Sequence, residues 1–173
     1  MPITLHQAFV PGSLQILRSV ASLIDIAKAH CAETGLPEAD LVEDRLIQDM
    51  HPFSYQVKSC TVHSQGAIEG LRNGVFSPDF TEPPTTLDGL MGRVLDAIGF
   101  LEGVSVEELE EFIGKPMRFE FGEFRMDFTA EDFLLSFSQP NFYFHATTAY
   151  DLLRKRGVQV GKRDFLGAVR IKR

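Results

Sequence analysis

Apolar residues recur at steps of three and four along most of the chain and at steps of two in one short stretch, which predicts helices nearly throughout and a single hairpin. Over residues 4–33, Leu14, Leu17, Val20, Leu23, Ile24 and Ala27 fall on one helical face, and Gly35 and Pro37 end the pattern. Acidic Glu38, Asp40, Glu43 and Asp44 suit a helix start, so residues 37–50 read as a short helical turn and a bend. A second long helix opens at Pro52, where a missing N–H costs nothing, and runs to about residue 73 with Phe53, Val57, Cys60, Ala67 and Leu71 as its stripe. Residues 74–86, GVFSPDFTEPPTT, hold three prolines and no helical period. They read as an ordered crossover, a connection that permits parallel neighbouring helices.

Thr86 caps a third helix to about residue 103, with Leu87, Leu90, Met91, Val94, Leu95, Ile98 and Leu101 on its buried side. Ser105 and Glu108 form a capping-box pattern for a short helix to about residue 113. Met117, Phe119 and Phe121, then Phe124, Met126 and Phe128, alternate with polar residues around Gly122, the signature of a β-hairpin. Thr129 and Asp132 open the last long helix, which Pro140 should kink. The expected fold class is all-α: a single domain over residues 1–173, a four-helix bundle with a long crossover between helices two and three and a small β-hairpin before helix four.

A chain of 173 residues with 44% hydrophobic content supports one core. Fifteen Phe and no Trp suit a helical interior, because Phe carries no hydrogen-bonding obligation. The net charge of −7 argues against a nucleic-acid partner, and the basic residues gathered from Arg154 onward read as a solvated helix end. The N-terminus lacks the pattern of a secretory signal, and no run reaches membrane-spanning length, so no membrane role is expected. Cys31 and Cys60 read as reduced thiols of a cytoplasmic protein.

Polar groups inside apolar helices carry the candidate chemistry. In the last helix the stripe Phe137, Asn141, His145, Thr148, Leu152 is core-like except for Asn141 and His145, one turn apart. A neutral imidazole binds a transition metal or moves a proton near neutral pH, which makes His145 the candidate ligand or catalytic base. Helix two offers Cys60 and His63 at i and i+3, with Gln56 one turn earlier. Cys60, His63 and His145 could together make a three-ligand metal site with an open position. The competing reading makes Cys60 a small buried hydrophobe, His63 a core-edge residue, and Asn141 and His145 a mutually satisfied pair that fixes helix register. His6 and His30 lie near helix ends, and His51 belongs with the cap before Pro52. No G-x-S-x-G and no phosphate-binding glycine loop is present.

The run Pro140, Asn141, Phe142, Phe144, His145, Thr147, Thr148, Ala149, Tyr150, the later run Gly161 to Gly167, and Asp49, Met50 and Pro52 carry a resemblance. Across nearly the whole chain the protein resembles a bacterial and fungal domain-of-unknown-function family related to the DinB/YfiT-like metalloenzyme group. That group is similar in outline: a four-helix bundle, frequently a homodimer, often with a divalent metal on one helix-two histidine and an H-x-x-x-H pair on helix four. Some members perform transfer or isomerisation with low-molecular-weight thiols. The resemblance therefore implies a zinc or nickel site at His63, His145 and Cys60, small-molecule contacts from Asn141 and Gln56, and a homodimer. Asn141 stands where the group has its first histidine, and a neutral amide is a poor ligand for such metals. The alternative is a non-catalytic binding or structural module.

Overall fold

The computed structural model describes residues 2–172. Helix α1, Leu5–Thr34, starts with Thr4 and Gln7 in a reciprocal capping box and stops where Gly35 adopts φ +75, a conformation that costs only glycine nothing. The short α2, Glu38–Val42, follows. The second rod is α3, Phe53–Thr61, then a π-helical turn, Val62–Gly66, then α4, Ala67–Asn73. A two-residue strand β1, Val75–Phe76, opens the crossover to α5, Leu87–Glu102. Thr86 caps α5 and Ser105 caps the short α6, Val106–Glu110, both as their spacing predicts.

The hairpin is β2, Pro116–Phe121, and β3, Phe124–Thr129, paired antiparallel with Phe121 opposite Phe124. Its apolar residues share one face, since Met117 faces Phe128 and Phe119 faces Met126. The last rod comprises α7, Ala130–Asp132, a second π-helical turn, Phe133–Ser138, and α8, Gln139–Lys155. The five-residue α9, Lys162–Leu166, packs back on α1. Pro140 lies at the start of α8, so its ring faces the carbonyl of residue 136 inside the wide π turn, which relieves the clash an α-helix would impose.

Rod contacts close a cycle: α1 packs on α5 and α8, and α3 packs on the same two helices. Leu17, Leu23, Ile24, Phe53, Val57, Leu90, Val94, Phe133 and Phe142 fill the centre. Three expectations need correction. The fold is mostly helical rather than all-α, because β1 pairs parallel with β2 and makes the hairpin a three-stranded sheet. A two-residue strand inside a proline-rich crossover has no period to read. Leu95, expected on the core side, is exposed because the face of α5 that meets α1 and α3 runs through Leu87, Leu90, Val94 and Leu101. A third concerns α1, which is long and apolar enough to cross a membrane by length and composition, although half of its most apolar window is buried inside the molecule.

The crossover is fastened to α3 from below. Lys58 is 1% exposed, and its Nζ donates to the Asp79 carbonyl at 2.8 Å and to the Thr81 carbonyl, and sits 3.1 Å from Asp79 Oδ1. Asp79 also receives Arg93 Nη2 at 2.9 Å, while Arg93 Nε donates to Thr61 at 3.0 Å. Burial would raise the Asp79 carboxyl, but hydrogen bonds from Thr81 and Lys58 outweigh it and hold the group at about 2. Gly70 completes the fastening on the other side, since a Cβ there would stand 3.1 Å from Phe76 and 3.2 Å from Met117, the two residues that seat the sheet on α4.

Removing the ammonium leaves two carbonyls and a carboxylate without their donor, so Lys58→Met should lose about 2 to 4 kcal/mol of stability in urea unfolding. Protease cleavage within residues 77–86 should rise with it, whereas an unchanged midpoint and cleavage rate would mean that the crossover is held elsewhere.

Candidate functional site

Between α3 and α8 lies a cavity of about 210 Å³, and both π turns border it. His63 lies on the first π turn, Phe137 on the second, and Asn141 and His145 come after it on α8. Tyr55, Lys58 and Ser59 come from α3, Phe76, Pro78 and Asp79 from the crossover, and Phe119 from β2. A π turn widens the helix by one residue and rotates the side chains beyond it, and such turns concentrate at functional sites. Here they bring His63 Nδ1 to 3.4 Å from Ser138 Oγ and set the His63 and His145 rings 5.7 Å apart, with planes within 12°.

The hydrogen-bond network assigns the protons on both rings. Gln56 is 2% exposed, and its Nε2 donates to the His51 carbonyl at 2.9 Å, which turns its Oε1 toward His145. An amide oxygen only accepts, so the 2.7 Å contact means that His145 donates from Nδ1 and keeps a lone pair on Nε2. On the other ring, the buried Ser138 hydroxyl has His63 Nδ1 as its hydrogen-bond partner. Among the described residues Ser138 has no other partner, so donating to Nδ1 is what satisfies its hydroxyl hydrogen, and that arrangement places the His63 proton on Nε2. Among the described residues no protein group bonds either Nε2. The two rings thus present one acceptor and one donor beside the same cavity.

Both imidazoles are neutral at pH 7. Burial pushes His145 down to about 4, with the nearby His51 adding to the effect. Burial, and then the neighbouring His145, push His63 down to about 3. Tyr55 braces this end of the cleft, stacked on His51 at 3.8 Å and edge-on to His145 at 6.0 Å.

The structure brings His63, His145 and Asn141 to one cavity; Cys60 and Gln56 are not among the lining residues. Cys60 is wholly buried, its Sγ lies 3.3 Å from the Gln56 carbonyl, and burial pushes its thiol well above the ordinary range. Cys60 lies on α3 and His63 on the π turn that follows, and the thiol is in the core while the imidazole lines the cavity. Gln56 stands behind His145 as its orienting partner rather than as a ligand contact, because both ends of its amide are already used. Asn141 donates to the Phe137 carbonyl at 2.7 Å, so the mutually satisfied Asn141 and His145 pair is not formed.

The donor set does not fit a resident three-ligand zinc or nickel ion. Among the described residues no three His, Cys, Asp or Glu side chains converge, and the buried Lys58 ammonium borders the same cavity. Lys58, Asp79, Tyr55 and Ser138 were not singled out by sequence. The available signal was Lys58 beside Val57 at the edge of an apolar stripe, which has no meaning until Asp79 arrives from the crossover.

No curated protein matches the chain. The crystal structure at 1.83 Å of a DinB family member protein from Shewanella denitrificans is similar to it, at 26% identity and a TM-score of 0.83, covering 98% of this chain and 95% of that one. The sequence profile described as "Domain of unknown function (DUF1993)" matches residues 5–166, nearly the whole chain, and the protein belongs to that family.

Proposed function

We propose that the four rods form a four-helix bundle of the DinB/YfiT kind whose cleft binds a small organic molecule directly through its histidines, without a metal ion between. One observation carries this reading: Gln56 holds His145 in the tautomer that leaves Nε2 unpaired beside the cavity. A buried amide that fixes which imidazole nitrogen carries the proton is an arrangement that supports a ligand-binding histidine. The volume, about 210 Å³, lies below the usual range for drug-sized ligands and suits a molecule of one or two rings or an equivalent chain.

Binding fits the electrostatics better than proton abstraction. A thiol ionises near 8.5, and a base whose conjugate acid ionises at about 4 would take its proton at a cost of about 6 kcal/mol. A low-molecular-weight thiol, the class that the family resemblance brings, would therefore be held by its S–H rather than ionised by His145. The same holds for an alcohol or an N–H donor.

Two measurements check the reading. Amide-detected NMR titration with a small-fragment library should move the signals of Tyr55, His63, Phe137 and His145 together, and His145→Ala should abolish the response while α-helical circular dichroism is retained. A library that leaves all four unmoved would defeat the proposal, as would stoichiometric zinc or nickel in untagged protein that disappears in His63→Ala and His145→Ala.

Stability should also depend on pH in a defined window. The unfolded imidazoles ionise near 6.5 and the folded ones at about 4 and about 3, so the unfolded chain binds the extra protons between these values. Stability is then full above pH 6.5 and falls as pH drops toward 4. The groups facing the pair are His51, Tyr55, Lys58 and Asp79. Asp79, held at about 2, contributes its own loss only below the ordinary carboxylate range. Urea midpoints should decline from pH 7 to pH 5, and His145→Gln should flatten part of that slope.

A further inference from the structure

The walls of the α3/α8 cleft are mostly rings. Phe76 lies 5.6 Å from His63 and 6.2 Å from Phe119, and Phe119 lies 5.1 Å from Phe137, centroid to centroid. The aromatic surface continues outward: Phe119 meets Phe124 at 6.3 Å, and Phe80 of the crossover meets Phe121 at 5.8 Å. Phe80, Phe121 and Phe124 are 74%, 52% and 55% exposed, an apolar cluster at the hairpin tip that the core does not explain.

The polar groups narrow the ligand further. Lys58 spends its ammonium on three oxygens, and Asp79 spends its carboxylate on Lys58, Arg93 and Thr81. Neither an anion nor a cation would find a free counter-charge, and burying one uncompensated is costly. On the two rings the lone pair on His145 Nε2 and the N–H on His63 Nε2 stay free, beside the neutral polar groups of Tyr55, Ser59 and Asn141 that also line the cavity. One acceptor and one donor on neighbouring rings match a neutral group that both donates and accepts, and a hydroxyl does so through a single atom.

Resting on the binding role proposed for the cleft, we infer that the ligand class is a small neutral hydroxyarene. Its hydroxyl donates to His145 Nε2 and accepts from His63 Nε2–H, and its ring packs among Phe76, Phe119 and Phe137. Substituents on that ring extend toward Phe80 and Phe121.

Phenol, anisole and cyclohexanol separate the parts of this inference, because anisole lacks the donor hydrogen and cyclohexanol lacks the aromatic face. In NMR titrations of the wild-type protein, phenol should bind ~10-fold more tightly than anisole, the factor expected for one lost hydrogen bond, and more tightly than cyclohexanol, which gives up the ring contacts. His145→Phe keeps a ring and removes the acceptor, so it should erase the preference for phenol over anisole, whereas His63→Phe removes the donor and should weaken both while leaving that preference. Anisole or cyclohexanol binding as well as phenol overturns the hydroxyarene class. A thiol such as 2-mercaptoethanol, or benzoate, moving His145 where phenol does not also overturns it, and leaves the cleft a binding site. No response to phenol, thiol, benzoate or the wider fragment library overturns both readings.

Discussion

A single buried ammonium holds the architecture of this protein in register. Lys58 is buried, so its ammonium needs protein oxygens, and those come from Asp79 and Thr81 of the crossover. Once the crossover is fastened there, Phe76 is carried against Gly70 and β1 lies beside β2. The same fastening sets Pro78 and Asp79 as one wall of the cleft and leaves Phe80 beside the hairpin tip. Sheet, cavity wall and exposed aromatic cluster are thus consequences of one satisfied charge.

The two π turns do a complementary job from the helices. Each adds a residue to its turn, and each lies where a side chain of the cleft must rotate away from the regular stripe: His63 on one, Phe137 and Ser138 on the other. Their contact, His63 Nδ1 with Ser138 Oγ, orients one imidazole while Gln56 orients the other. Burial lowers the proton affinity of both rings, so neither carries a charge into the cleft at pH 7. No metal trio is completed among the described residues, since Asn141 turns back to the Phe137 carbonyl and Cys60 turns into the core.

Legible in the sequence were the long helices, the caps at Thr86, Ser105 and Thr129, the hairpin around Gly122, and the choice of His63, Asn141 and His145 as candidates, which the structure places around one cavity. These obey local rules, because a cap or an amphipathic stripe is decided within a few residues. Tertiary structure alone decided the parallel pairing of β1, the π turns, and the roles of Gln56 and Lys58. Helical spacing assumes 3.6 residues per turn, so the residue that each π turn adds leaves no trace in the pattern. Gln56 and Lys58 acquire meaning only through His145 and Asp79, 89 and 21 residues away, and partners so distant are invisible to any local reading.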